Sequence, residues 1–136
     1  MNYLDTSALI RAWRQQQAPE GVTRSHSLAE FYATLTSGLT VNLQGIKTRV
    51  QISPVETAAG AVETFAAVTF RDLTPAQTLA ETQAAAQANI QGANVHDWMH
   101  AAVTRREGCQ RIVTTNEKHF KEVSRLPLVD PGVLFA

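Results

Sequence analysis

The sequence predicts an α/β fold, a mostly parallel sheet with helices on both faces. Three observations lead there. Short apolar runs of strand length alternate with longer segments of helical period, which is the order expected of a parallel sheet with crossover helices. The longer segments carry helix start and stop signals, such as Ser53-Pro54-Val55-Glu56 before one and Gly108 after another. The composition, 44% hydrophobic and 18% charged over 136 residues, is that of one globular domain, 1–136, with enough chain to bury a core.

Residues 2–4 read as a buried strand ending at Asp5. Ala8, Leu9, Ala12 and Trp13 follow at helical spacing, predicting a helix over about 6–16. Pro19, Glu20 and Gly21 make a loop, and residues 22–26 read as a second strand. Ser27 opens a helix whose apolar stripe is Leu28, Phe31, Tyr32 and Leu35, and Gly38 is placed to stop it. Residues 39–52 fit either a strand, since Leu39, Val41 and Leu43 alternate, or an extended loop. The Ser53-Pro54 start predicts a helix to about Val68. A strand is expected over 70–73, then a helix opened by Thr74-Pro75 and ending near Asn89. Val95, Trp98, Met99 and Ala102 mark a helix over 95–107. A strand over 111–114, a short helix over 116–123 and a strand at 128–129 complete the chain.

Composition narrows the function classes. Twelve basic and twelve acidic residues give zero formal net charge, which argues against a coat protein held to nucleic acid by wholesale counterion release. The single cysteine, Cys109, excludes an internal disulfide framework and suits a reducing compartment; it reads as packing rather than as a nucleophile. No apolar run approaches the ~20 residues of a membrane helix, and no basic segment precedes an apolar one at the N-terminus. A soluble, cytoplasmic protein is the expectation.

In open parallel sheets, function gathers at the carboxyl ends of the strands. Asp5 and Asn116 follow predicted strands, and Glu30 and Asp97 sit in the first turns of predicted helices, beside their apolar stripes. Three carboxylates and an amide form a hard oxygen donor set, suited to Mg²⁺ or Mn²⁺. Each residue also has a simpler role. Asp5 and Asn116 suit helix caps, Glu30 would complete a capping box with Ser27, and Asp97 favours a helix dipole.

Four segments together resemble the PIN-domain family, and within it the VapC-type toxins of toxin–antitoxin modules. They are Tyr3-Leu4-Asp5-Thr6-Ser7, His26-Ser27-Leu28-Ala29-Glu30-Phe31-Tyr32, Val95-His96-Asp97-Trp98-Met99-His100-Ala101-Ala102 and Ile112-Val113-Thr114-Thr115-Asn116-Glu117-Lys118-His119-Phe120. They occur in order across nearly the whole chain. The resemblance implies a PIN-like three-layer α/β/α fold with about five strands, and a Mg²⁺- or Mn²⁺-dependent endoribonuclease. Asp5, Glu30 and Asp97 would be metal-holding acids, and Asn116 stands where many relatives have an aspartate. Ser7 and Thr114 would be supporting hydroxyls. A structured RNA substrate (tRNA or rRNA), a cognate antitoxin and a homodimer are implied as partners. A PIN-like binding module without cleavage, or an RNA-processing nuclease with no antitoxin, are the alternatives.

Other signals carry less. Glu117 would have to turn inward to replace the charge missing at Asn116. Arg11, Arg14, Lys118 and Lys121 are candidate substrate contacts, though such residues are usually solvated. His96 and His100 are four apart on a helix but lack the flanking glutamate of a His-Glu-x-x-His zinc motif, so a hydrogen-bonded or solvated pair is the simpler reading. His119 fits the cleft or the surface. Trp13, Phe31, Tyr32 and Trp98 read as core or dimer contacts rather than base-stacking platforms. Gly45-Ile46-Lys47-Thr48 lacks the Gly-Lys adjacency of a phosphate loop.

Overall fold

Successive side chains of a strand point to opposite faces. In the first strand, β1 (Asn2–Leu4), both Tyr3 and Leu4 are fully buried, so the sheet must be covered on both sides. The computed structural model, which describes residues 1–136, shows that cover. Leu4 packs with Ala8, Leu9, Ala12, Phe31, Leu35 and Phe65 on one face, and Tyr3 packs with Ala101, Val103, Ile112 and Phe120 on the other. The fold is a three-layer α/β/α arrangement.

The central sheet consists of β1, β2 (Gly21–Thr23), β5 (Val68–Phe70), β6 (Arg111–Val113) and β7 (Leu128–Val129), in the order β5-β2-β1-β6-β7. Every pairing in it is parallel, with Tyr3 opposite Val22 on one side and Ile112 on the other. The chain builds outward from β1 to β2 and β5, then returns to add β6 and β7. Strand order therefore reverses between β1 and β6. In open parallel sheets, that reversal opens a crevice beyond the carboxyl ends of the two strands.

Helix α1 (Thr6–Arg14) joins β1 to β2, and α2 (Ser25–Ser37) and α3 (Pro54–Thr64) lie between β2 and β5. Helix α1 is capped by the Asp5 side chain, and α3 by Ser53 with Pro54 in its first turn. Helix α2 starts at Ser25, two residues earlier than the sequence suggested, because β2 ends at Thr23, whose hydroxyl donates to the Leu4 carbonyl at 2.6 Å. Its cap comes from elsewhere. Asp72, in the loop after β5, accepts from the Ser25 amide at 2.9 Å and the Ser25 hydroxyl at 2.6 Å, and these bonds hold the Asp72 carboxyl below its ordinary pKa.

Residues 39–50 form a hairpin apart from the main sheet, β3 (Leu39–Leu43) and β4 (Ile46–Val50), paired antiparallel. Gln44 and Gly45 both have positive φ, +53° and +83°, which is the two-residue turn that matches strand twist. Helix α3 ends at Thr64, short of the expected Val68, because Val68 pairs with Gly21 and begins β5 two residues early. Residue pairing in the sheet overrides the continuing apolar period there.

Helices α4 (Pro75–Gln87), α5 (Asn94–Glu107), α6 (Glu117–Lys121) and α7 (Pro131–Leu134) complete the fold. Thr74 and Gln77 make a reciprocal capping box on α4, and left-handed Gly108 ends α5. Helix α4 is locked to α5 by Glu81, which accepts from Arg105 at 2.9 Å, Arg106 at 3.1 Å and the Trp98 indole at 3.1 Å. The unexpected α7 is started by Asp130, which accepts from the Gly132 amide at 2.7 Å. No helix is long and apolar enough to cross a membrane.

Gly60 on α3 marks a close helix contact. A Cβ there would lie 2.6 Å from the Trp13 indole nitrogen on α1. Ala favours helix by up to ~1 kcal/mol over Gly, whereas overpacking costs ~1–3 kcal/mol. Gly60→Ala is therefore expected to lower stability by about 1 kcal/mol in urea unfolding; a stabilised variant would mean that Trp13 moves aside freely.

Candidate active site

The crevice between β1 and β6 holds the sequence-predicted residues. Asp5 directly follows β1 and lies 5% exposed. Three donors fix it: the Ser7 hydroxyl at 2.5 Å and the Ala8 amide at 3.2 Å on Oδ1, and the Thr114 hydroxyl on Oδ2. Both hydroxyls are held in turn. Ser7 accepts from the Thr115 amide at 3.0 Å, and Thr114 accepts from the Asn116 amide at 2.9 Å. The ends of β1 and β6 are thus tied through Asp5. Burial pushes its carboxyl up in pKa, and the three donors oppose that without cancelling it.

Asp5, Thr6, Glu30, His96, Asp97, His100, Asn116 and Phe120 line one cleft of about 80 Å³. Four separate elements bring the acids and the amide together. Glu30 sits in the second turn of α2, not the first, and Ser27 is three residues inside the helix, so no capping box forms there. Glu30 instead accepts from the Thr6 hydroxyl at 3.1 Å and pairs with His26 Nε2 at 3.1 Å. Asp97 occupies the first turn of α5 with its side chain 19% exposed, and His119 Nδ1 lies 3.7 Å from its Oδ2. Burial raises the Asp97 pKa; His119 and His96 pull it down, and Glu30 and Glu122 push it up. Asn116 precedes α6 but makes no side-chain cap.

The acids are gathered but not clenched. Asp5, Glu30 and Asp97 do not have oxygens that all approach one another within 4.8 Å; the one set of three ligating side chains that does is His26, Glu30 and His100. The donor chemistry of the acidic set still fits Mg²⁺ or Mn²⁺. Mg²⁺ dehydrates reluctantly and commonly keeps waters between itself and carboxylates.

Other candidates fall away. Glu117 is exposed and does not line the cleft. Arg11 donates to the Phe135 carbonyl at 2.8 Å and so ties down the C-terminal segment. Phe31 is fully buried, Trp13 packs edge-on against it at 6.2 Å, and Trp98 is held by Glu81. Cys109 is buried in the core, and burial raises its thiol pKa.

The sequence reading missed how completely histidine surrounds this cleft. All four histidines of the chain are there. His26 stacks on His96 with ring centres 5.3 Å apart and planes 7° apart, and lies 5.7 Å from His100. The Nδ1 of His100 is hydrogen-bonded to the buried Tyr3 hydroxyl. His26 and His96 come from different helices, so no sequence spacing reveals their pairing.

Burial pushes the His100 imidazole down to about 3, with Arg24, His26 and His96 adding to the effect. In the unfolded chain it titrates near its ordinary value of ~6.5. The unfolded state therefore takes up this proton first as pH falls. The stability contributed by a neutral His100 is full above about pH 6.5 and is lost progressively down to about pH 3. At pH 4.5 the loss from this group is about 2–3 kcal/mol. The raised carboxyls of Asp5 and Asp97 act with opposite sign, since their protonation relieves buried charge. The His100 contribution is isolated by its ring ¹⁵N shifts, which are expected to stay those of a neutral imidazole from pH 7 to 4.5. A ring that protonates above pH 5 would overturn the assignment.

No protein-family model matches the chain, and no curated protein matches it in sequence.

Proposed function

We propose that the protein is a metal-dependent endoribonuclease of the PIN type, and the toxin of a toxin–antitoxin module. One observation carries this reading: Asp5, Glu30, Asp97 and Asn116, from four elements, line a single cleft at the point where strand order reverses. The resemblance in four ordered segments supplies the reaction class. Structured RNA, tRNA or rRNA, is the proposed substrate, and the cytoplasm the proposed compartment.

The residues divide the work. Asp5, Glu30 and Asp97 would hold Mg²⁺ or Mn²⁺, with Asn116 offering its amide oxygen to the ion or to a bound water. The bound ion supplies a water of lowered pKa and charge neutralisation at the scissile phosphate. Asp5 has both oxygens engaged by Ser7, Ala8 and Thr114, so it acts as a fixed anchor. Asp97 has a raised proton affinity and no donor tying it closely, which makes it the better acceptor for the proton of the attacking water. Water would add to phosphorus as its proton passes to Asp97, the bond to the 3′ oxygen would break, and that oxygen would take a proton from solvent, so that the products carry a 5′-phosphate and a 3′-hydroxyl. That polarity follows from the resemblance.

The proposed partners are a second copy of the chain and a cognate antitoxin.

Purified protein free of antitoxin, incubated with total RNA, is expected to release discrete fragments with Mn²⁺ or Mg²⁺ and none with EDTA. Absence of cleavage by folded protein under either metal would overturn the proposal. A second reading, a PIN-like module that binds without cutting, is favoured by the neutral Asn116 and the loose spacing of the three acids. It predicts RNA or protein binding without cleavage, unchanged in Asn116→Asp. A PIN nuclease for RNA processing shares the chemistry and differs in having no neighbouring antitoxin gene.

A further inference from the structure

We propose that His26, Glu30 and His100 form a second metal site, nitrogen-containing and selective for Zn²⁺-class ions, beside the oxygen-rich set and sharing Glu30 with it. One ligand atom from each of the three side chains lies within 4.8 Å of the other two. His26 Nε2 and Glu30 Oε1 are already 3.1 Å apart. In a tetrahedral shell with bonds of ~2.0–2.1 Å, neighbouring ligand atoms sit about 3.4 Å apart. The widest separation must therefore close by at most roughly 1.4 Å. His26 and Glu30 can make that adjustment, since their side chains are 39% and 47% exposed.

The surrounding contacts are those that hold metal-binding imidazoles. A ligating histidine normally engages a partner through its other ring nitrogen, which fixes both tautomer and orientation. His100 Nδ1 is engaged by Tyr3, so Nε2 is the nitrogen for an ion. The His26 ring plane is set by stacking on His96. Two imidazoles and one carboxylate, with room for a water, form a zinc donor set, and imidazole favours Zn²⁺, Co²⁺ and Ni²⁺ over Mg²⁺. Arg24 lies near enough to His100 to oppose a cation. Glu30 brings the negative charge of the donor set, and Asp97 and Asp5 line the same cleft as Glu30 and His100. The sequence spacing of His96 and His100 pointed to a pair on one helix; the fold instead brings His100 of α5 to His26 of α2.

The inference does not depend on the nuclease reading, and the test separates the two. Co²⁺ titrated into the full-length protein in Mg²⁺-containing buffer is expected to give the intense visible absorption of a four- or five-coordinate ion, at one equivalent, displaced by Zn²⁺. Loss of a histidine ligand should weaken binding at least as much as loss of a supporting contact, so His26→Ala is expected to reduce Co²⁺ affinity by roughly 10–100-fold or more. Glu30→Gln should weaken it similarly, whereas Asp97→Asn should leave both spectrum and affinity in place while lowering cleavage by roughly 10²–10⁴-fold. A wild-type spectrum showing only weak octahedral Co²⁺ overturns the site. So does unchanged affinity in His26→Ala, or a loss in Asp97→Asn equal to that in His26→Ala. If wild type cuts no RNA yet binds Co²⁺ through His26, the nuclease reading fails and the metal site stands.

Discussion

Asp97→Asn is expected to lower metal-dependent RNA cleavage by roughly 10²–10⁴-fold, the usual contribution of a positioned acid or base. The substitution changes one oxygen to an amide nitrogen and keeps the shape of the side chain. It removes a charge from a cleft that already contains Glu30, and it removes the proposed proton acceptor. The same variant has a stability signature of opposite sign. Burial raises the Asp97 pKa, so the folded state binds that proton more tightly than the unfolded one, and ionisation above the ordinary carboxyl range opposes folding. Metal-free Asp97→Asn should therefore melt at the same temperature as wild type or higher at neutral pH. Inactive and no less stable is the expected pair of results, read by gel assay and thermal unfolding. Undiminished cleavage would remove Asp97 from the mechanism. Inactivity with a large drop in melting temperature would show only that the fold had been damaged.

Phe31→Ala is expected to destabilise the protein by about 3–5 kcal/mol. Phe31 is fully buried, edge-on to Phe65 at 5.0 Å and to Trp13 at 6.2 Å, and it joins α1, α2 and α3 in one cluster. Domains are commonly stable by only ~5–15 kcal/mol, so this single cavity takes a large share. It also adjoins Glu30, whose position in the cleft depends on the seating of α2. Urea unfolding measures the effect. A loss under 1 kcal/mol would mean that the three helices collapse into the space. Phe31→Leu should cost much less, because it retains most of the volume.

Much of the fold is legible in the sequence because local signals and burial agree there. Tyr3-Leu4 and Ile112-Val113 are apolar on both faces, which only a strand in a covered sheet tolerates, and both are found as strands at the expected positions. Ser53-Pro54 and Thr74-Pro75 start helices where their chemistry says they should. The errors fall where distant partners decide. Helix α2 starts at Ser25 because Asp72 caps it from 47 residues away. Residues 39–52 leave strand and loop open for a local reason: Gln44-Gly45 turns a hairpin without the Asn-Gly or Asp-Gly dipeptide that announces one, and the alternation of Leu39 and Val41 breaks down at Leu43 and Ile46, which are largely exposed. Asp5, Glu30, Asp97 and Asn116 were legible as a set because strand ends and motif order converge on them. The histidine cluster was not, since His26 and His100 are neighbours only in three dimensions.

The central position of β1 has a consequence for when the cleft can form during synthesis. One flanking strand, β2, follows β1 closely in sequence, whereas the other, β6, and the Thr114 hydroxyl that fixes Asp5 come much later in the chain, Thr114 being 109 residues from Asp5. Contacts of such separation form late, because loop closure must precede them. A nascent chain with its first hundred residues outside the ribosome already displays Asp5, Glu30 and Asp97 but lacks β6, so nothing yet secures Asp5 from that side. The cleft is completed only as the last strands dock. Synthesis therefore leaves the cleft unframed until β6 has emerged, and a molecule truncated before Thr114 has the acids without the frame that aligns them.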